Sequence, residues 1–383
     1  KPFRWFRGYH VGGKSLLWAR ATQRWSDYDF EGPARDGFAV DWPVRYKDLE
    51  PWLDYVETFA GIAGGRDGLP ELPDSIVQPG FELSCIEQYY KEQLKQNYGD
   101  RHLIQGRCAH LTDPQQIHRE QGRNKCQNQG MCNRGCVYGG YFSANASTLP
   151  WAEKTGNLTI RPFSIVQELI YDKEKGRATG VRIIDSETSE VIEYNAKIIF
   201  CNASTLSSTQ ILLNSVSERF PNGLGNDSGE LGHNLMDHTY RVGAMGTVEG
   251  FDDQYYKGRR PNGIYIPRYV NLDDKTKSDK FVRGFGFQGG GGRGNWGAGA
   301  NVEDFGADFK DSMMKPGPWE FFITGFAECL PYHENKVYLN KDVLDKWGQP
   351  TLSIDAEWGA NELAINAQMR IDAKEMLERA GLT

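Results

Sequence analysis

The sequence predicts an α/β chain of two domains, the second built on an antiparallel sheet. Three observations carry this expectation. At 383 residues the chain is too long for one small core and asks for two, or three, domains. Near residue 200 a β-type run passes through small residues into a helical pattern, a geometry that binds phosphate through backbone N–H groups and the helix dipole. Residues 241–330 are rich in Gly, Tyr, Phe and Trp between charged loops, which suits an antiparallel domain.

Taken in chain order, the first clear element is a helix over residues 46–62. Leu49, Trp52, Leu53, Val56 and Phe59 share one face, with Asp48 and Pro51 near its start. A β-rich block follows, with runs at 157–163, 165–171, 180–184 and 190–200 that alternate or are β-branched and are separated by charged turns. The last run enters Cys201, Asn202, Ala203 and Ser204, then a helical pattern through Gln210, Ile211, Leu212 and Leu213. The final element is a helix over 360–380 carrying Leu363, Met369, Ala373, Met376 and Leu377 and ending at Gly381.

Composition narrows the classes of function. Net charge is −7 with no basic block, which argues against a nucleic-acid partner. No stretch approaches 18 consecutive apolar residues, so no membrane-spanning helix is expected. The opening residues Lys1, Pro2, Phe3 and Arg4 have no signal-peptide pattern. Glycine, 44 of 383 residues, exceeds the roughly 7% usual in globular chains and points to tight turns and close backbone approaches.

Several motifs are candidates for chemistry. Gly292, Gly294 and Gly297 match the dinucleotide fingerprint in form, but no amphipathic helix or acidic strand end follows, so the segment reads as a flexible active-site or surface loop. Gly12 and Gly13, followed by Ser15, Leu16, Leu17 and Trp18, would let backbone lie against a flat ligand while a side chain covers it, although any Gly-Gly turn looks the same. Cys126, Cys132 and Cys136 fall within eleven residues. As a zinc site they are one ligand short, with His110 and His118 awkwardly placed, and three core thiols are the plain alternative. Tyr255, Tyr256 and Tyr265 could stack sugar rings or be core material, and Gln288 is a candidate substrate contact. The sequons at Asn145, Asn157, Asn202 and Asn226 read as coincidence, two of them lying inside the motifs quoted next.

The ordered set of motifs resembles the glucose–methanol–choline (GMC) family of FAD-dependent oxidoreductases, in its sugar branch of glucoside 3-dehydrogenases and FAD-dependent glucose dehydrogenase catalytic subunits. The matching pieces are Gly12–Trp18, Trp25–Phe30, Asp41–Pro43, the cysteine trio, Ser143–Pro150, Ala203–Ser215 and Leu231–His238. Together they run nearly end to end.

The resemblance implies an α/β flavin-binding fold, a Rossmann-like FAD domain that is incomplete here, with a second α+β antiparallel-sheet substrate domain. Residues 1–45, 120–240 and 331–383 would form a discontinuous FAD domain, and 46–119 and 241–330 the substrate or cap domain. It implies that Gly12, Gly13, Ser15, Leu16, Leu17 and Trp18 lie beside the isoalloxazine, with Val166 at the adenine through its backbone. Asn202, Ala203 and Ser204 would lie near the phosphates and ribose. Leu17 stands where covalently flavinylated relatives carry a His, so the FAD would be non-covalent. It further implies a [3Fe–4S] cluster on Cys126, Cys132 and Cys136, whose thiolates suit iron, a small companion subunit, a cytochrome c acceptor and periplasmic residence.

Asn234, Asp237 and His238 read as a structural turn. No catalytic residue is assigned within the chain. The family's first strand–Gly-x-Gly-x-x-Gly–helix unit has no match in these residues, and its catalytic His is expected after Thr383. The chain is accordingly expected to be an internal fragment that binds FAD poorly and turns over nothing in isolation. A pyranose-oxidase-like use of O₂ and a non-catalytic carbohydrate-binding role are the alternatives.

Overall fold

The computed structural model describes residues 8–130, 132–254, 262–293 and 302–383, with Asn133 described in its backbone only. The fingerprint-like Gly294 and Gly297, and the sugar-contact candidates Tyr255 and Tyr256, lie outside the described residues. Along the chain come α1 (Asp27–Phe30), α2 (Gly32–Asp36), α3 (Tyr46–Ala60), β1 (Ile62–Gly64), β2 (Val77–Pro79), α4 (Cys85–Asn97), β3 (Ile104–Gln105), α5 (Gln116–Glu120) and α6 (Thr148–Glu153). The order continues with β4 (Ser164–Asp172), β5 (Arg177–Asp185), β6 (Val191–Asn195), α7 (Thr205–Asn214), β7 (Thr239–Val248), β8 (Ile264–Ile266) and β9 (Phe285–Arg293). It closes with α8 (Ala307–Met314), β10 (Trp319–Ala327), β11 (Lys336–Leu344), β12 (Pro350–Asp355) and α9 (Ala360–Arg379).

Two compact units result. The first comprises residues 1–158, 238–328 and 360–383; the second comprises 159–237 and 329–359. These are units of packing, grouped otherwise than the expected cofactor and substrate domains.

The first unit is organised on a five-stranded antiparallel sheet of order β3-β8-β9-β10-β7. Alternation along β10 sends Trp319, Phe321, Ile323 and Ala327 to one face, all buried. Against that face pack Ile86, Tyr90 and Leu94 of α4 and Ile365, Met369, Ala373, Met376 and Leu377 of α9. The expected period of α9 is therefore its core face, apart from Leu363, which is exposed. Gly381 ends it in the left-handed region at φ 76°.

Two expectations change in this unit. Of the segment read as a loop, Gly292 is strand, the end of a stretch Gly289–Gly292 that lies inside β9 and pairs with residues 320–323 of β10, while Gly294 and Gly297 lie outside the described residues. Bare backbone is needed there, since a Cβ on Gly291 would collide with the Ile86 side chain of α4. The apolar stripe of α3, in turn, is only partly inward: Leu49, Leu53 and Phe59 are half-buried, whereas Trp52 and Val56 are 69% and 57% exposed. The inward side, one turn from Leu53, is fixed by charge: buried Glu57 receives Arg24 Nε at 2.9 Å and the Ile76 amide at 2.9 Å.

In the second unit β4, β5 and β6 form an antiparallel sheet in that order, with α7 against β4, and β11 pairs with β12. Residues 157–163 form no strand, and the run expected over 190–200 is a strand only at Val191–Asn195. Ile198 and Phe200 continue outside the ladder and are exposed, Phe200 at 80%. The strand-to-helix geometry is corrected accordingly: the chain reaches α7 through an unpaired segment. Among the described residues the one parallel pairing is β1 with β2.

Candidate active site

The Gly-Gly turn is built by its own sequence. Gly12 (φ 97°) and Gly13 (φ 50°) take left-handed conformations, and residues Gly13–Leu16 form one 3₁₀ turn. Ser15 Oγ donates to Gly12 O at 2.6 Å and accepts from the Ala144 amide at 2.9 Å. Asn145 Nδ2 donates to Val11 O at 3.1 Å, and Trp18 Nε1 donates to Phe142 O at 3.3 Å. Two separately quoted motifs, Gly12–Trp18 and Ser143–Pro150, are thus one structure, with Asn145 an anchor of the turn. Space is open above Gly13, where a Cβ would meet nothing within 4 Å, and Leu17 is half exposed. Bare backbone facing open space beside an exposed apolar side chain is a cradle that fits a flat ring system such as isoalloxazine.

Behind the turn sits the cysteine loop. Cys126, Cys132 and Cys136 line a cleft of about 70 Å³ together with Gln127, Asn128 and Tyr138. His110 Nε2 lies 3.6 Å from Cys132 Sγ, and the Asn128 amide points at Cys126 Sγ at 3.5 Å. Burial pushes the Cys126 thiol up, and Cys132 and Cys136 push it further. His110 is driven down to about 3 by burial and then by Arg20 and Arg123. Among the described residues no group of three His, Cys, Asp or Glu could hold a single metal ion, so the loop does not suit lone zinc. Cys126, Cys132 and Cys136 are three thiols on one cleft.

The open face of the five-stranded sheet is the third feature. By register Gln288 of β9 stands between Tyr265 of β8 and Thr324 of β10. On the same face Phe326 stacks on Tyr240 of β7, with ring centroids 6.0 Å apart and planes 11° apart, and the His238 ring meets Phe326 edge-on at 6.2 Å. Phe322 and Met245 continue the face and are 48% and 69% exposed. The neighbours of Gln288 along the strand on this face are Gly286 and Gly290, and the Tyr265 ring packs over the bare backbone of Gly286. A polar centre ringed by aromatic and apolar surface can hydrogen-bond hydroxyls while stacking on the apolar face of a ring.

The second unit holds the other expected cofactor residues. Val166 lies on β4, an edge strand whose outer backbone is outside the sheet's ladder. Asn202, Ala203 and Ser204 are exposed at the start of α7, whose N-terminus has no side-chain cap, and the Ala203 amide is held by Ser208 Oγ at 3.1 Å. An uncapped ten-residue helix start suits an anionic group. The unit's own cleft, about 330 Å³, is lined by Leu213, Leu231, His233, Lys336, Val337, Tyr338 and Asp355. It lies toward the other end of α7 and includes none of the expected residues. Asn234 is a left-handed turn residue (φ 58°) whose Nδ2 donates to Glu230 at 2.7 Å.

Sequence reasoning passed over Arg20, Arg123, Tyr240, Thr324 and Phe326. The last two are visible as the alternate residues of a period-2 run, whereas nothing local marks Arg20 or Arg123 as buried.

The antiparallel sheet and glycine cradle of the first unit and the uncapped helix start of the second are each compatible with the flavin-binding oxidoreductase fold that the motifs resemble. Residues 1–240, more than half of the chain, match the family model of GMC oxidoreductases. The chain therefore belongs to the GMC oxidoreductase family. It is 27% identical over 380 residues to 2-methyl-1,2-propanediol dehydrogenase of Mycolicibacterium austroafricanum, covering 93% of this chain and 64% of that protein. To paromamine 6′-oxidase of Streptomyces fradiae it is 26% identical over 389 residues, covering 98% and 64% respectively. To the fructose dehydrogenase large subunit of Gluconobacter japonicus it is 26% identical over 238 residues, 60% of this chain and 41% of that one. Among solved structures, a formate oxidase of Aspergillus oryzae superposes with a TM-score of 0.52 at 15% identity, over 97% of this chain and 67% of that one. The chain thus spans less than two thirds of the length of these curated relatives.

Proposed function

We propose that the chain is the greater part of an FAD-dependent dehydrogenase that oxidises a secondary alcohol of a sugar or glycoside, at C3. The open sheet face carries this reading, because Gln288 and Thr324 offer hydrogen bonds beside the stacked Tyr240–Phe326 pair. Bound FAD would accept the substrate's C–H hydrogen as hydride. Gly12, Gly13, Ser15, Leu16, Leu17 and Trp18 are assigned to hold its ring non-covalently, Val166 to the adenine, and Asn202, Ala203 and Ser204 to the phosphates and ribose. Gln288 and Thr324 orient the hydroxyls, and Tyr240 and Phe326 fix the ring plane and exclude water. The hydroxyl proton goes to a general base, which the family resemblance assigns to a His.

The same reading divides the chain into an FAD domain (1–45, 120–240, 331–383) and a substrate domain (46–119, 241–330). It assigns a [3Fe–4S] cluster to Cys126, Cys132 and Cys136, a small companion subunit, a cytochrome c acceptor and a periplasmic location. The likeness to a protein named as a large subunit supports the companion.

The test uses the full-length polypeptide, with flavin content, iron and acid-labile sulfide measured and sugars screened by dye reduction. Gln288→Ala is expected to raise KM at least tenfold with a smaller change in kcat. An unchanged KM would remove the sheet face from the substrate site. A second reading, an oxidase passing electrons to O₂, is favoured by the likeness to paromamine 6′-oxidase. Peroxide formed in step with substrate, by a protein without iron, would establish it.

A further inference from the structure

The row of side chains that carries the proposed substrate face runs on past the end of β10. Alternation sends Phe322, Thr324 and Phe326 to the open face, and Glu328 is the next residue of that row. The ladder reaches it: the Glu328 amide donates to Gly284 O at 3.2 Å, one step beyond the Ala327–Phe285 pair. Gly284 has no side chain, and a Cβ there would collide with Arg268, which therefore lies over the strand beside Glu328.

Two guanidiniums hold the carboxylate. Arg268 Nη1 donates to Glu328 Oε1 at 3.3 Å, and Arg283 Nη1 lies 3.8 Å from Oε2. Both arginines are themselves tied down. Arg268 donates to Val270 O at 2.9 Å and to Asn271 O at 2.8 Å, while Arg283 pairs with Asp36 at 2.6 Å and donates to Phe38 O at 3.2 Å. Of the two carboxylates on Arg283, Asp36 is only 9% exposed and Glu328 is 33% exposed, so Glu328 is the one open to a ligand. Burial pushes its pKa up, and Arg268 draws it back toward the ionised form. An ionised carboxylate only accepts hydrogen bonds and has about four lone-pair sites, so each oxygen keeps room for a further donor.

Phe326, stacked on Tyr240, stands between Thr324 and Glu328 in the row. A ring lying on it has Gln288 and Thr324 at one edge and the Glu328 carboxylate at the other. The hydroxyls of a sugar project from those edges.

We propose that Glu328 is a specificity-determining residue, a carboxylate fixed by Arg268 and Arg283 that accepts a hydrogen bond from a substrate hydroxyl across Phe326 from Gln288 and Thr324. This rests on the reading of the sheet face as the substrate site. The class selected is polyhydroxylated. An alcohol with no hydroxyl at that edge leaves the carboxylate desolvated and without its donor, and sites built to bond a hydroxyl reject such analogues far more strongly than apolar pockets do. No proton is transferred; Glu328 binds and orients.

The test is steady-state kinetics on the full-length, flavin-loaded protein, with the sugar turned over in the dye screen and its monodeoxy analogues as probes. Glu328→Gln is expected to raise KM for the sugar about tenfold while kcat stays within about threefold. One monodeoxy analogue should bind wild type about tenfold more weakly, and Glu328→Gln should cost that analogue nothing further, which marks a direct pair. Equal rises in KM for the sugar and for every analogue would show a structural role only and overturn the proposal. A rise with Gln288→Ala and none with Glu328→Gln would overturn it and leave the sheet face standing. No effect of either variant would remove the face, and this inference with it. If the Gln variant does not fold, Glu328→Asp keeps the charge, shortens the reach and should show the same pattern. An unchanged KM in that variant overturns the assignment equally.

Discussion

Gly12 and His118 illustrate how single residues hold the first unit's loops. Gly12 combines φ 97° with a position where a Cβ would run into Asn145 Oδ1. Gly12→Ala is therefore expected to cost about 1–3 kcal/mol in the turn, read as a lower melting temperature and weaker FAD uptake by the full-length protein. His118 Nδ1 accepts the Gln115 amide at 2.9 Å, while Nε2 meets Thr58 O at 3.0 Å, which fixes the neutral Nε2–H form. Burial, and then Arg123, lowers its pKa below the ordinary 6.5. The unfolded chain thus takes up the proton first. The contribution is complete above pH 6.5 and declines as pH falls from there toward the folded value. Denaturant melts at pH 7.5 and 5.5 should show wild type losing more stability than His118→Gln. Equal losses would remove His118 from the acid sensitivity.

At the scale of elements, α3 and β9 mark where local pattern stops being informative. Periodicity shows that α3 has an apolar face, but the side that turns inward is chosen by Arg24, twenty-odd residues before the helix, through Glu57. Such a pairing has no local signature. Glu57→Ala leaves Arg24 buried with half its partners gone, and should cost about 3–5 kcal/mol in equilibrium unfolding. Trp52→Ser, on the outward face, should cost under about 1 kcal/mol. Glycine runs similarly signal a loop in isolation. In β9 the neighbours supply the bulk that the strand lacks, with Ile86 of α4 occupying the place of a side chain. Gly291→Val is expected to destabilise by about 1–3 kcal/mol, measured by urea denaturation, through overpacking against that helix. The α9 core face is legible because its period lies within the helix itself, and the Gly-Gly turn because its paired glycines are adjacent, although its anchors Ala144 and Asn145 come from far along the chain.

For the molecule as a whole, motif order carried the family while composition carried little. The residues proposed to hold the cofactor stand in the quoted family motifs. The proposed substrate face was not legible, apart from Gln288, because it exists only once β7, β8, β9 and β10 are laid side by side. The packing units were also hidden in the sequence: residues 329–359 join 159–237 across a long interval, and such pairings come from tertiary contacts. Two units with separate cores should unfold in two calorimetric steps. One transition whose calorimetric and van't Hoff enthalpies agree would show them to be a single cooperative body.

The four consecutive glycines of β9, Gly289–Gly292, have a kinetic corollary. Each loses more backbone freedom on ordering than any other residue would, and none brings a side chain to the nucleus. The strand cannot lead the assembly of its sheet; it is zipped in between β8 and β10 once Phe285, Phe287 and the Ile86 helix have docked. Amides of Gly289–Gly292 should then gain protection only together with those of Phe321–Ile323, late in refolding, and lose it with them in the first opening of the sheet. The barest strip of the sheet would thus be the last part of it to exist.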